Sequence, residues 1–214
     1  MLLALFGPAA SEFRYGHGVV LGLTILVIIS GVHSIRLVDE RHRYALGLAV
    51  PLCILSLMGL FVHHEWLVVI DHLLSLVFLG LVVKVMLDHV MAQRAVSSDL
   101  IRAGLVVYLL VGIWFADVYA LFEFLSPGSF NGDIAATVSA GGEGGGRIHS
   151  TRFTYYSLVT LTTLGYGDIT PASTLARSFS AVEAIIGPVF LAVFIGRLVG
   201  VQVAQAAASN ERND

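Results

Sequence analysis

The most informative segment of the chain is residues 151–171, which read TRFTYYSLVTLTTLGYGDITP. Its first part, 151–162, is apolar and aromatic, and its length predicts about three turns of helix. A helix that crosses a bilayer needs about 20 residues, so this one is too short to span. The glycine-containing stretch 162–168 follows directly. The segment therefore predicts a short helix that enters a membrane and turns back.

The stretch 162–168 is predicted to be non-helical, which leaves its backbone carbonyls unpaired. In a membrane such carbonyls are tolerated only where protein or a water-filled path surrounds them. Gly165 and Gly167 alternate with Leu164 and Tyr166. Glycine reaches backbone conformations in which successive carbonyls point the same way. A row of carbonyls directed at one axis can replace the hydration shell of a cation, so the pattern indicates a cation site.

The composition of the whole chain agrees with a membrane setting. Of its 214 residues, 57% are hydrophobic and 13% are charged, whereas soluble domains have about 25% charged residues. The formal charge is −3, and Lys84 is the only lysine among 12 basic residues. These values exclude an ordinary soluble enzyme, a disordered chain and a nucleic-acid binder. The single cysteine, Cys53, cannot form an intramolecular disulfide.

Five stretches of the sequence are long and apolar enough to be membrane-spanning helices. They are residues 18–35, 44–62, 66–87, 103–125 and 177–204. The first is the weakest, and a cleaved signal peptide is the alternative there. That alternative fits poorly, because no basic region precedes the stretch and Arg36 follows it.

Arginines in two of the loops predict the orientation of these spans. They lie between the first and second spans and between the third and fourth, as Arg36, Arg41, Arg43, Arg94 and Arg102. Positive charge favours the cytoplasmic side, so the N-terminus is expected outside and the C-terminus in the cytoplasm. The loop 126–150 then faces outward. Its richness in glycine predicts a mobile tether with no fold of its own.

The segment TTLGYGD resembles the signature of potassium channels, whose filter carries valine at the position of Leu164. The resemblance covers about residues 103–204 and looks like the pore module of prokaryotic potassium channels. It divides the chain into an N-terminal region, 1–100, with three spans and a pore domain, 101–214. In the pore domain it implies an outer helix 103–125, an extracellular loop 126–150, a re-entrant pore helix 151–162, a filter 163–167 and an inner helix 177–204. The expected fold is an all-α membrane protein with five transmembrane helices, one re-entrant pore helix and a selectivity filter.

The resemblance also implies roles for the residues of the filter. The carbonyls of Thr163, Leu164, Gly165 and Tyr166, with the hydroxyl of Thr163, would form stacked potassium sites. Gly167 would complete the outer turn of the filter.

Four further residues are implied to support the filter. Asp168 would sit behind it at the outer mouth, Tyr155 and Tyr156 would brace it laterally, and Thr162 is the fourth supporting residue. Some members carry a pore-helix glutamate that pairs with the aspartate, but this chain has Val159 there.

A single filter segment cannot surround an ion, so the resemblance implies a homotetramer with the pore on its fourfold axis. The expected function is passive, potassium-selective conduction in a bacterial-type inner membrane, with membrane lipid as surroundings. No enzymatic activity, no cofactor other than the permeant potassium ion and no nucleic-acid partner are expected. The alternatives are a weakly selective cation channel of the same architecture and a potassium-transporter subunit or membrane enzyme.

The inner helix contains Gly187 and Pro188 near its middle. The pair is a candidate gating hinge, and the alternative is that small residues simply allow close helix packing. Glu183, one turn earlier, is expected to face the pore helix and to be hydrogen-bonded or protonated. It is interpreted as a structural anchor.

The remaining polar residues of the spans give weaker signals. A voltage sensor needs arginines at three-residue spacing on one helix, and no span has them, so steep voltage gating is not expected. A cluster near the third span is a weak candidate for a metal or proton-sensing site, comprising His63, His64, Asp71 and His72. The simpler alternative is interfacial histidines, with Asp71 paired to a neighbouring helix. Asp117 and Glu123 are expected to contact adjacent helices or the surround of the filter.

Overall fold

The computed structural model of the protein describes residues 65–93, 95–132 and 145–210. The predicted spans 18–35 and 44–62, and the candidate ligands His63 and His64, lie outside these ranges.

The described part of the chain is mostly helical. Its helices are α1 (Glu65–Ala92), α2 (Ser98–Leu125), α3 (Gly145–Leu161) and α4 (Thr174–Asn210). Three segments within them are long and apolar enough to cross a membrane: Val69–Ala92, Ser98–Leu125 and Thr174–Ala207. α3 is followed by a non-helical stretch that leads into α4.

The helices extend beyond the bounds expected from hydropathy. α2 begins at Ser98 rather than near 103, because the Ser97 side chain accepts a hydrogen bond from the Leu100 backbone N–H at 3.2 Å. Asp99 in the first turn adds a favourable charge at the helix N-terminus. Polar capping residues are invisible to a search for apolar stretches, so the sequence prediction placed the start too late.

α2 packs against both α1 and α3. Toward α1 the contact is a cluster around Phe78, Leu79 and Val82, and the Trp114 indole N–H donates to the Leu76 carbonyl at 3.0 Å. Toward α3 the core is aromatic and comprises Phe115, Tyr119, Phe130, Phe153 and Tyr156. Several of these rings meet edge to face at centroid distances of 5.0–5.4 Å.

Part of the loop 126–150 is folded, which corrects the prediction of a tether without structure. Strand β1 (Phe130–Asn131) pairs antiparallel with β2 (Thr170–Pro171), just before α4. Phe130 is fully buried in the aromatic core. Glu123 accepts hydrogen bonds from the backbone N–H groups of Gly128 and Phe130, at 2.8 and 3.1 Å. The glycine-rich average composition of the loop concealed one aromatic anchor, Phe130, whose backbone is held by a carboxylate from the last turn of α2.

The C-terminal half of α4 packs against α2 where Phe194 meets Gly104. A methyl group added at Gly104 would overlap the Phe194 ring, which is buried and stacks on Phe190. We expect Gly104→Ala to lower the free energy of unfolding by about 1–3 kcal/mol, since the buried ring has little room to move. Thermal melting of the purified protein in detergent measures this. Gly200→Ala, with open space around it, should melt no lower than wild type.

A double-mutant cycle tests the cause. In a Phe194→Ala background the ring is gone, so Gly104→Ala should cost little further stability. An equal loss in both backgrounds would contradict the proposed overlap.

Candidate functional site

The non-helical stretch after α3 is tied back to the end of that helix. The backbone N–H groups of Leu164 and Gly165 both donate to the Val159 carbonyl, at 2.9 and 3.3 Å. The Thr162 hydroxyl donates to the Leu158 carbonyl at 2.7 Å. These bonds hold the start of the stretch against the last turn of α3.

Every second residue of this stretch has a positive φ: Thr163 (58°), Gly165 (57°) and Gly167 (81°). In an ordinary strand the carbonyls alternate from side to side. A regular inversion of φ allows successive carbonyls to face the same side, which glycine permits without steric cost. The sequence indicated this behaviour for the two glycines. It did not indicate it for Thr163, because a positive φ is a rare conformation for a β-branched residue.

Residues 162–168 are exposed in the single chain. The two large apolar side chains among them, Leu164 and Tyr166, are 54% and 67% exposed. The resemblance places Leu164 behind the filter, and the described part of the single chain leaves more than half of this side chain exposed.

The outer end of the stretch is held by a side-chain contact. The Tyr155 hydroxyl donates to Asp168 Oδ2 at 2.8 Å, and this hydrogen bond, with a smaller contribution from burial, raises the pKa of Tyr155 to about 12. The Asp168 carbonyl lies against Gly132, where a Cβ atom would collide with it. Asp168 is therefore contacted both by α3 and by the end of β1.

If the stretch conducts ions, as the resemblance implies, Tyr155→Phe should shorten sustained conduction by up to about fivefold, the effect of one net hydrogen bond. The measurement is ion flux over time from proteoliposomes. The stabilisation by the hydrogen bond from Tyr155 to Asp168 is complete below the ordinary tyrosine pKa of about 10. It is lost as the pH rises through the raised pKa of about 12. The effect of the substitution should thus be constant around neutral pH. A strong dependence on pH in that range would contradict this assignment.

Tyr156, the neighbouring aromatic residue, points to α4. Its hydroxyl contacts Ser180 Oγ at 2.7 Å, and Ser180 in turn donates to the Ala176 carbonyl at 2.7 Å. Because Ser180 has one hydrogen, Tyr156 is the donor to Ser180. The two adjacent tyrosines thus connect α3 in different directions, Tyr155 to the outer end of the stretch and Tyr156 to α4.

Glu183 on α4 is fully buried. It faces α3, as the sequence predicted, and also α2. The Tyr119 hydroxyl donates to Glu183 Oε2 at 2.7 Å, and Ser157 Oγ contacts Glu183 Oε1. Ser157 Oγ also contacts the Gly112 carbonyl at 2.6 Å. The cluster joins α2, α3 and α4 behind the non-helical stretch.

Gly187 packs against the end of α3. A Cβ atom at this position would collide with the Leu161 carbonyl, which also accepts a hydrogen bond from Tyr108 at 3.1 Å. α4 continues through Pro188 without interruption. In this conformation Gly187 therefore has the close-packing role, and the hinge role stays a prediction.

Of the candidate histidine cluster, the structure describes Asp71 and His72. His72 Nδ1 lies 2.6 Å from Asp117 Oδ1, and both side chains are 13% exposed. Among the described residues no group of three potential ligands could hold a metal ion. Asp117 contacts an adjacent helix as expected, and Glu123 contacts the turn that leads to β1. The contact between His72 and Asp117 connects α1 to α2.

Sequence reasoning missed Tyr108, Tyr119 and Ser157 as members of the site. A signal was present in α2, where Tyr108, Gly112, Phe115 and Tyr119 recur at three- and four-residue intervals. Such a stripe of hydroxyls and a small residue on an apolar helix indicates a face turned toward protein.

Comparison with protein families gives a match for residues 107–203. This segment matches the family described as ion channel. The match begins in α2 and ends in α4, and it includes α3 and the non-helical stretch, somewhat less than half of the chain. Comparisons with curated proteins and with solved structures gave no match. The apolar helices and the family match together indicate a membrane protein with an ion-channel module.

Proposed function

We propose that this chain is one subunit of a homotetrameric, potassium-selective channel. The observation that carries the proposal is the alternation of positive φ at Thr163, Gly165 and Gly167, in a stretch that reads TLGYG between α3 and α4. Four such stretches around one axis would surround an ion with carbonyl oxygens. Thr163, Leu164, Gly165 and Tyr166 supply the carbonyls, and Thr163 also supplies its hydroxyl.

The position of α3 supports a cation rather than an anion. α3 ends at Leu161, immediately before the stretch. The C-terminus of a helix carries a partial negative charge of about half an elementary charge, which favours nearby cations. The N–H groups of Leu164 and Gly165 are turned back to Val159, so they do not face the ion.

The surface of α4 supports assembly into a tetramer. Only 11% of the most apolar stretch of α4 is buried in the single chain, compared with 50% for α2. The bare surface includes Ile185, Val189 and Val193. In a tetramer α4 lines the axis and contacts its copies, while Leu164 is covered by the neighbouring subunit.

Conduction in this arrangement is passive. A potassium ion leaves its hydration water, is coordinated by successive rings of carbonyls and moves down its electrochemical gradient without any chemical transformation. The proposal includes a bacterial-type inner membrane and five spans, with the N-terminus outside and the C-terminus in the cytoplasm. Lys84 pairs with Asp88 at 2.8 Å on an exposed face. It is a single cation and not one of a regularly spaced series of arginines, so steep voltage gating is not part of the proposal.

Reversal potentials in mixed potassium and sodium test the selectivity. Purified protein in a planar bilayer should reverse near the potassium equilibrium potential. A reversal that ignores the potassium gradient would replace the proposal with the weakly selective cation channel. Protein that stays monomeric in both detergent and bilayer would favour the transporter-subunit alternative.

A further inference from the structure

Three fully buried polar side chains meet behind the non-helical stretch. They are Glu183 on α4, Ser157 on α3 and Tyr119 on α2. All the hydrogen-bond contacts that the structure shows for the Glu183 carboxyl come from these two hydroxyls. An ionised carboxylate inside a membrane is costly unless it is paired with a cation. Within the described ranges no ion pair involves Glu183.

The hydrogens of this cluster can be counted. Ser157 Oγ contacts both the Gly112 carbonyl and Glu183 Oε1, but a serine hydroxyl has only one hydrogen to donate. A carbonyl oxygen can only accept, so both contacts can be hydrogen bonds at once only if Ser157 donates its hydrogen to Gly112. The contact between Ser157 and Glu183 is then a hydrogen bond only if the carboxyl group carries the proton.

We infer that Glu183 is a neutral carboxylic acid that donates from Oε1 to Ser157 Oγ and positions α3 against α2 and α4. In this arrangement Tyr119 donates to Glu183 Oε2, Glu183 donates to Ser157, and Ser157 donates to the Gly112 carbonyl. Every contact has one donor and one acceptor. With an ionised carboxylate, Ser157 would face two acceptors with a single hydrogen, and one contact would be repulsive.

The chain of hydrogen bonds gives Glu183 a role in ion conduction that rests on the proposed function. Ser157 lies half a turn before Val159, whose carbonyl holds the N–H groups of Leu164 and Gly165. Loss of the Glu183 proton donor would release this part of α3 and shift the start of the filter. Because the acid is neutral, it positions the filter without placing a negative charge behind it.

Infrared difference spectroscopy of the full chain in lipid tests the protonation state. Wild type at neutral pH should show the carbonyl stretch of a protonated carboxylic acid, and Glu183→Gln should lack that band. Asp88→Asn, which removes an exposed carboxylate paired with Lys84, is the matched control and should retain it. The inference would be overturned if wild type showed no such band, or if the band remained in Glu183→Gln.

Flux and melting of two substitutions test the positioning role. An amide can donate to Ser157 and accept from Tyr119, so Glu183→Gln should keep potassium flux and melting close to wild type, within about threefold in flux. Glu183→Ala leaves Ser157 and Tyr119 without their partner and should lose at least about tenfold in flux, or fail to fold. If Glu183→Gln falls as far as Glu183→Ala, or does not fold, the neutral acid is the wrong assignment.

These readouts separate the inference from the proposed function. A wild-type protein that shows the protonated band but conducts no potassium would refute the channel and leave the neutral acid standing. A conducting wild type without the band would do the reverse.

Discussion

Substitution of either filter glycine, Gly165→Ala or Gly167→Ala, is expected to abolish potassium flux while leaving expression and assembly intact. Both residues have positive φ, at 57° and 81°. The left-handed conformation is less stable by about 1–2 kcal/mol for a residue with a Cβ atom. In a tetramer each ring of carbonyls would include four such residues. The alternative for alanine is a change of φ, which turns a carbonyl away from the axis.

The physical cause can be separated from a simple collision. Among the described residues, no atom lies within 4 Å of a Cβ atom added at Gly165 or Gly167, so the expected loss comes from backbone conformation and from the neighbouring subunits. Flux of potassium or rubidium into proteoliposomes is the measurement.

Gly128→Ala is the matched control for the filter glycines. Gly128 has a φ of 88° and open space around it, but it lies in the turn after α2. The Gly128→Ala variant has the same conformational cost outside the filter, so it should conduct as wild type does. Sustained selective flux in either filter variant would refute the assignment of carbonyls to ion coordination.

The second large effect is expected from Gly187→Ala, which should lower the melting temperature and strongly reduce flux. The added methyl group would collide with the Leu161 carbonyl at the end of α3. Backbone cannot rotate away as a flexible side chain can, so either α4 or α3 must move. Overpacking of this kind costs about 1–3 kcal/mol in each subunit. The displacement would fall immediately before the filter.

Gly187→Ala also separates the two roles considered for this residue. A hinge alone predicts a variant with altered opening but unchanged or higher melting temperature, because alanine is the better helix former. Close packing predicts a lower melting temperature. Gly196→Ala, on the same helix with open space around it, should retain both stability and flux. Equal melting of the two variants would contradict the packing role.

Several features of the molecule could be read from the sequence, because a lipid environment restricts what the chain can do. Backbone groups in a bilayer must be satisfied internally, so long apolar stretches predict α1, α2 and α4 without knowledge of any contact. The same restriction makes the glycine-containing stretch after α3 conspicuous. A buried carboxylate in such a chain also had to face protein, and Glu183 does.

Other features depend on which distant segments meet, which local pattern does not encode. Tyr119 and Glu183 are 64 residues apart, and His72 and Asp117 are 45 apart. The sequence indicated that Asp117 and Glu183 would face protein, but only the packing of α1, α2 and α4 chose their partners. Phe130 shows the same limit, since one aromatic residue in a glycine-rich loop becomes an anchor only because a pocket between α2 and α3 receives it.

Apolar length by itself determined which helices could span a membrane, and glycine spacing predicted a segment that turns back with its carbonyls unpaired, because both features follow from the backbone alone. The tertiary structure decided that Thr163 joins Gly165 and Gly167 in the inverted conformation and that Gly187 is a contact surface for Leu161. The proton that we infer on Glu183 rests on the same kind of contact, since Tyr119, Ser157 and Gly112 lie on two other helices. These outcomes arise where three helices meet, and they depend on distances between side chains and backbone that no single segment of sequence contains.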